Sequence, residues 1–456
     1  MARSRGLKAP AGRAADAATS TGETASDPEA TSSADAVEST VPAGEPGAPP
    51  IPWRRNLYAV WAAQLLAIIG FSLRVPFLPF YLKELGVNGV DQQALWSGLI
   101  NAGGAGVMAI AAPIWGAVAD RHGRRPMLLR ATFAATATVG LMGLATRPWH
   151  LLALRFVEGA LTGTVAASTA LVATTTPKAR LGYALGMVQT AVFAGSSLGP
   201  LFGGVLADQI GPRPTFAVAS GCLGSAGLIV LFLVRERFVP APRRAGRAPG
   251  VGRWAAWRGG MDFLLGPGVL TMVAVMLVVR LASSAIQPIT PLFVQELAPG
   301  TTDASSLAGL VLGVLGLTSA ISAVILGRLG DRRGYRRILL ACAFAAGLLY
   351  LPMAAAQHPW QLVALQALFG VAAGGLIPAA NALIAHATPP ERRGVVYGVM
   401  AASASLGGFI GPLAGAALAA ALGFRATFIA TAVLLLALAG GIAGRRSEVG
   451  GRKSED

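Results

Sequence analysis

Four ionisable side chains, Arg74, Arg155, Glu158 and Arg280, lie inside long apolar stretches of this 456-residue chain. A charged group at the centre of a bilayer costs about 2.5–3.5 kcal/mol on insertion scales, so each is a candidate for a functional role. Arg155, Glu158 and Thr162 have the i, i+3 and i+7 spacing of one helix face. Glu158 is the only acid well inside such a stretch, which makes it the candidate for binding and releasing a proton.

Two interpretations of Glu158 are open at this point. In one, Arg155 lowers or raises the proton affinity of Glu158 as a cavity opens and closes. In the other, the two side chains form a permanent ion pair that only neutralises both charges.

The three embedded arginines outnumber the single embedded acid. If all four side chains face one cavity, that cavity carries a charge of about +2 when Glu158 is ionised. Such a site attracts neutral or anionic small molecules, with Arg74 and Arg280 as the partners of an anion. Alternatively, Arg280 pairs with a backbone carbonyl or extends its guanidinium to the membrane surface.

Several enzymatic chemistries lack the residues that they need. The stretch "GSSLG" (195–199) matches a hydrolase nucleophile pattern, but it lies inside an apolar run and leads into Pro200 instead of joining a strand to a helix. The chain has no GK dipeptide for an ATP-binding loop, and its four histidines lack ligand spacing. We therefore expect no enzyme activity, no cofactor and no metal, and we expect an ion gradient to supply the energy.

The composition is that of a membrane protein, with 54% hydrophobic and only 13% charged residues and a mean hydropathy of +0.59. About twelve apolar runs approach the roughly 20 residues that cross a bilayer. The net charge of +16 is concentrated in loops that fall on one side of these runs. Because positive loops stay inside, the pattern predicts a multi-pass protein of the inner (plasma) membrane with both termini in the cytoplasm and no nucleic-acid partner.

The two halves of the chain repeat each other. The stretch "GAVADRHGRRPML" (116–128) returns as "GRLGDRRGYRRIL" (327–339), and "VPFLPFYLKEL" (75–85) returns as "QPITPLFVQEL" (287–297). Six spans per half return the chain to its starting side, so the repeats are parallel. The predicted parts are a disordered cytoplasmic tail (1–52), a six-helix bundle (53–234), a cytoplasmic linker (235–262), a second six-helix bundle (263–444) and a cytoplasmic tail (445–456).

Three motifs resemble those of the major facilitator superfamily. The loop after the second span contributes Gly116, Asp120, Arg121, Gly123, Arg124 and Arg125, which the second half repeats as Gly327, Asp331, Arg332 and Gly334. The fourth span contributes Arg155 and Gly159. The fifth contributes Gly195, Gly199, Pro200, Gly203 and Gly204, repeated as Gly407, Gly411 and Pro412.

The resemblance covers about residues 55–444 and is strongest to the drug/proton antiporter branch. Within that branch, "FSLRVPFLPFYLKELGV" and "WSG" resemble multidrug efflux proteins of the MdtG type. It implies an all-α protein of twelve transmembrane helices in two parallel six-helix repeats. It also implies a monomer in the lipid bilayer that exports small molecules or drugs in exchange for protons by alternating access, and so confers antibiotic resistance. Proton-coupled or facilitated transport of a single metabolite, or a non-transporting sensor on this fold, are the alternatives.

The resemblance further implies that the loop acids form a conformational latch. Asp120 is expected at the N-terminus of the eleventh helix near Gly394, and Asp331 at the fifth near Gly182, since a helix dipole favours a carboxylate there. The alternative is a loop that serves topology alone, with glycines for the reversal and arginines for the inside. The glycine motif of the fifth helix serves as a hinge or seal between the halves, as ordinary tight packing with a kink at Pro200, or as both.

Aromatic residues close to the Pro76 and Pro288 breaks are expected to line the substrate cavity, because broken helices gather at substrate sites. These are Phe71, Phe77 and Phe293. Packing in a core or contact with lipid is the alternative for all three.

Overall fold

The structure, a computed structural model, describes residues 53–236, 238, 267–388 and 393–444. The two predicted tails and most of the predicted linker therefore lie outside the described residues. Within the described ranges, every regular element is helical. The expected all-α fold is confirmed.

The first half of the chain forms eight α-helices, two pairs of which are separated by short breaks. They are α1 (Trp53–Ser72), α2 (Leu78–Glu84), α3 (Val90–His122), α4 (Arg124–Met142), α5 (Pro148–Leu161), α6 (Thr164–Thr175), α7 (Leu181–Ile210) and α8 (Pro212–Leu233). The first break has a plain cause: Pro76 has no amide hydrogen to donate and its ring clashes with the preceding turn, so α1 ends at Ser72.

The second half forms seven described helices in the same order. They are α9 (Pro267–Ile286), α10 (Thr290–Leu297), α11 (Ala304–Arg333), α12 (Tyr335–Ala354), α13 (Pro359–Ala387), α14 (Arg393–Leu422) and α15 (Phe424–Gly444). The repeat predicted from the sequence is thus visible in the helices, with one difference: α5 and α6 are separate, whereas α13 is continuous.

Nine segments of the described chain are long and apolar enough to cross a membrane, with α5 and α6 counted together as one, or ten if α9 and α10, bent by 42°, form one span. The pair α1–α2 and helix α4 do not meet this measure. Arg124, Arg125 and Arg130 lower the hydropathy of α4. Both nevertheless pack inside the bundle, α1 against α7 and α8, and α4 against α5 and α8. With them, the bundle has the twelve expected spans.

The bundle contains two hydrophobic cores, one in each half of the chain. One core is built from residues between Leu57 and Val234, and the other from residues between Val275 and Ile442 together with Ala94. The two halves meet mainly along two helix pairs, α7 with α11 and α3 with α14. The domain boundaries given above stay a prediction, but this division supports them.

The side of the bundle on which α1 begins is called the terminal side here. The side-chain amide of Asn56 donates to the carbonyl of Arg235 over 2.6 Å and accepts from its amide over 3.0 Å, so the chain after α8 returns to that side. The reversal between α3 and α4 lies there too. Its glycine, Gly123, has φ of 92°, and the repeat partner Gly334 has φ of 88°. These are left-handed conformations that favour glycine, as the tight reversals require.

Candidate functional site

Glu158 is held between two arginines. Arg74, in the break between α1 and α2, donates from Nη1 to Oε2 over 3.1 Å and from Nη2 to Oε1 over 2.9 Å. Arg155, one turn before Glu158 on α5, donates from Nη1 to Oε1 over 2.9 Å. The paired donation by Arg74 is the bidentate geometry that makes arginine–carboxylate contacts strong.

This cluster is buried: Glu158 is 3% exposed and Arg74 is 7% exposed. A buried charge is tolerated only when it is paired, and here two guanidiniums share one carboxylate. The cluster therefore carries a formal charge of +1. The sequence led us to pair Arg155 with Glu158, but it gave no sign of Arg74, which lies 84 residues from Glu158 along the chain.

Helix α3 contacts the cluster through Arg155 and packs closely against α5. The carbonyl of Ile100 accepts a hydrogen bond from Arg155 Nε over 3.4 Å. Further along, a Cβ at Gly159 would clash with the backbone of Gly104, and one at Gly104 would lie 3.1 Å from the Arg155 guanidinium. The glycine of the fourth-span motif is therefore required for the close approach of α5 to α3.

The predicted polar stripe ends at a helix break. Thr162 lies just beyond α5, and its Oγ1 donates to the carbonyl of Glu158 over 2.7 Å. The next residue, Gly163, has φ of 133°. Glu158 therefore lies in the last turn of α5, at the point where the span is interrupted.

The structure corrects the expected cavity lining. Phe77 and Phe293 are fully buried, one in each core, where Phe77 packs edge-on against Phe216. Aromatic side chains near a proline break are as useful for filling the space beside it as for binding a ligand. Phe71 is half-buried, with its ring centroid 5.8 Å from Cζ of Arg74.

The two arginines expected to bind an anion differ in their surroundings. Arg74 is paired with Glu158, so it is not a free cation in this structure. Arg280, on α9, is exposed and lies against Gly407 of α14. It has no hydrogen-bond or ion-pair partner among the residues that the structure describes.

The loop acids make local contacts only, as far as the structure describes the chain. The side chain of Asp120 is 71% exposed and lies 3.7 Å from Nη2 of Arg124. Asp331 accepts a hydrogen bond from the hydroxyl of Tyr335. The expected contacts near Gly394 and Gly182 are thus not formed in this conformation.

A different acid, Glu236, occupies the N-terminus of α4. Its carboxylate accepts hydrogen bonds from the backbone amides of Arg124 over 2.9 Å and Arg125 over 2.7 Å. These amides have no partner within the helix, and the helix dipole favours an anion beside them. The sequence placed Glu236 in a linker, and only its position just after α8 hinted at this role.

The glycines of the α7 motif lie at close helix contacts, some within the first half and one between the halves. A Cβ at Gly195, Gly199 or Gly203 would clash with α1 or the residues after it, so these three allow tight packing within the first half. A Cβ at Gly204 would instead clash with the backbone of Ser305 on α11. The repeated glycines Gly407 and Gly411 pack on α9 in the same way.

The two halves contact each other from the middle of the bundle to the side away from the termini. There, Gly309 approaches the backbone of Pro200, and Gly98 approaches that of Pro412. On the terminal side, a Cβ at Gly330 would meet Tyr335 of the same half, whereas a Cβ added at four other glycines near the ends of these helices would meet no atom within 4 Å. These glycines are Gly116, Gly182, Gly327 and Gly398. The bundle is therefore closed on one side and separated on the other.

A family model described as Major Facilitator Superfamily matches residues 60–305 and 281–448 of this chain. The protein belongs to the major facilitator superfamily. Members of this superfamily are membrane transporters, so the protein is a transporter and not an enzyme.

Curated relatives match over most of their length. The multidrug resistance protein MdtG of Citrobacter koseri is 39% identical over 388 residues, which cover 85% of this chain and 94% of that protein. MdtG of Serratia proteamaculans is 38% identical over 387 residues, covering 85% and 92%. The resemblance drawn from the motifs is confirmed.

Solved structures share the fold at lower identity. The human organic anion transporter MFSD10 (TETRAN) has a TM-score of 0.63 and 20% identity, covering 86% of this chain and 100% of that one. A bacterial homologue of the human lysosomal transporter Spinster has a TM-score of 0.66 and 17% identity, covering 86% and 96%.

Proposed function

We propose that this protein exports small molecules from the cytoplasm in exchange for protons by alternating access, and that Glu158 carries the proton. The similarity to MdtG multidrug resistance proteins supports drug efflux. The observation that carries the proton assignment is the cluster of Arg74, Arg155 and Glu158, because Glu158 is the one buried acid among the described residues.

The geometry of the cluster links protonation to movement. An ionised Glu158 binds both guanidiniums, whereas a protonated carboxyl loses both ion pairs and leaves one buried and one partly buried positive charge near each other. Proton uptake is therefore favoured only if an arginine moves away or meets an anion. Arg74 is placed for this movement, since it lies in the break between α1 and α2, where no continuous helix holds its backbone.

The positively charged loops indicate which side of the bundle faces the cytoplasm. If they are cytoplasmic, the terminal side faces the cytoplasm and the observed conformation is open inward. The exposed Asp120 is then the released form of the latch, which engages the N-terminus of α14 when the inner side closes. The protein acts as a monomer in the inner membrane in this proposal, since each half supplies its own latch loop.

The test uses inverted membrane vesicles with an imposed pH gradient and three probes: fluorescein as an anion, chloramphenicol as a neutral molecule and ethidium as a cation. Uptake of a probe that disappears when the gradient is collapsed supports antiport. Gradient-independent uptake favours a facilitator, and no uptake of a wider panel favours the sensor.

The Glu158→Gln variant tests the proton site in the same vesicles. The amide resembles the protonated acid, so gradient-driven accumulation should be lost while exchange of labelled for unlabelled probe persists. Glu84→Gln, which removes an exposed acid at the end of α2, is the matched control and should transport normally. Accumulation by Glu158→Gln at the wild-type level would place the proton site elsewhere.

A further inference from the structure

The interrupted end of α5 is held by an aromatic residue of α3. In a continuous helix the carbonyl of Ala160 would accept from the amide four residues later, but the break at Gly163 removes that donor. The indole Nε1 of Trp115 replaces it, donating to the Ala160 carbonyl over 2.6 Å. Trp115 thus fixes the same helical turn that contains Glu158.

A half-buried cation lies against the same indole. Cζ of Arg130, on α4, is 3.4 Å from the centroid of the Trp115 ring, within the range of a cation–π contact. Nε and Nη1 of Arg130 are buried and have no hydrogen-bond partner among the residues that the structure describes. The indole face is therefore a direct contact of this guanidinium, and the same indole bonds the last turn of α5.

Trp115 also directly precedes the latch motif, whose first residues lie within α3. Gly116 follows it, and Asp120 is a little more than one turn further along α3. A helix transmits a displacement of its end along its length. A movement of the loop toward α14 therefore displaces the indole, and through it the last turn of α5.

Comparison of the two halves shows that the indole, the cation and the helix break occur only in the half that contains the acid. At an offset of 211 residues, Trp115 corresponds to Leu326, Arg130 to Ala341 and Glu158 to Phe369. The helix of the second half, α13, runs without a break through the position equivalent to Gly163. The half that lacks the acid lacks the indole, the cation and the break.

We propose that Trp115 is a positioning residue that couples the movement of the loop between α3 and α4 to the ion pairing of Glu158. This inference rests on the proposed role of Glu158 as the proton carrier. It assigns Trp115 to neither the substrate nor the proton, but to the link between the latch and the proton site.

The test compares Trp115→Phe with Trp96→Phe in the inverted vesicles. The first variant keeps the ring beneath Arg130 and removes the donor, and the second makes the same change elsewhere on α3. Trp115→Phe should lower gradient-driven accumulation about 5-fold, the scale of one lost hydrogen bond, and should shift the pH midpoint of transport. Gradient-independent exchange and the thermal stability should match those of Trp96→Phe.

Each result decides the matter. Loss of accumulation and exchange in parallel, without a shifted pH midpoint, would mean that Trp115 only supports the fold. Wild-type behaviour of Trp115→Phe beside an inactive Glu158→Gln would overturn this inference alone. Full accumulation by Glu158→Gln would overturn the proton assignment, and the coupling with it.

Discussion

The carboxylate of Asp208, near the end of α7, accepts a hydrogen bond of 2.7 Å from the backbone amide of Ser306 in the first turn of α11. The two residues belong to different halves of the bundle. An amide at this position has no partner within its helix, and the N-terminal end of the dipole favours an anion. Asp208 therefore fastens the closed side in the way that the family resemblance implies for Asp120 on the terminal side.

Removing this contact should weaken closure. Asp208→Ala should shift the population toward the state that is open on the side away from the termini, because a hydrogen bond to a charged group contributes about 1.5–3 kcal/mol. The measurement is the distance distribution between spin labels at Asp91→Cys and Leu422→Cys, in a background without Cys222 and Cys342. These positions are exposed at the ends of α3 and α14, far along the chain from Asp208.

Asp303→Ala is the matched control, because it removes a similar charge beside the same helix end without a bond to the other half. The two acids border one surface pocket between α7 and α11. Equal distance distributions in the two variants would show that Asp208 does not keep the side away from the termini closed.

Asp120→Asn should slow the switch between states without changing the fold. Its side chain is 71% exposed, so the neutral amide disturbs no packing and the melting temperature should stay the same. Loss of a charge at a helix N-terminus should reduce the transport rate about 3- to 10-fold. Asp91→Asn, an exposed acid at the other end of α3, controls for charge. A wild-type rate in Asp120→Asn would leave the loop with a role in topology alone.

The fold was more predictable than the site because the fold follows from local sequence patterns, whereas the site depends on contacts between residues far apart in the chain. Apolar runs, loop arginines and internal repeats are local or periodic, so they predicted the spans and their order. The pairing of Arg74 with Glu158 depends on how two helices are rotated about their axes, which hydropathy does not specify. The same holds for Phe77 and Phe293, which point into the cores and not toward a cavity. The break at Gly163 was hidden because "TGT" lies inside a continuous apolar run.

The glycine motif predicts a stability difference between two positions of α7. Gly203→Ala should lower the melting temperature, because its Cβ would clash with the backbone carbonyl of Leu73, and overpacking costs about 1–3 kcal/mol. Gly186→Ala meets no atom within 4 Å and should be neutral or slightly stabilising, since alanine favours helix. Thermal unfolding of both variants in detergent measures this. Equal melting temperatures would mean that α7 can move away from α1 at no cost.

Arg280 gives the sharpest prediction about what is carried. Its guanidinium is exposed and unpaired among the described residues, and the buried cluster adds a further formal charge of +1. A lipophilic cation would enter such a site without an acidic partner, which is unfavourable. An anion would gain a partner that the structure leaves available. The repeat position in the first half is Ile68, so this arginine belongs to the second half alone, as a residue that sets specificity would.

Arg280→Ala should therefore reduce export of fluorescein about 10-fold or more, the scale of a hydrogen bond to a charged group, and leave export of chloramphenicol nearly unchanged. Arg280→Lys keeps the charge and should retain part of the anion export, which separates charge from packing against Gly407. The measurement is efflux of each probe from loaded cells and the matching resistance profile. Strong export of ethidium by the unmodified protein, or equal loss of all probes in Arg280→Ala, would contradict an anion-selective site.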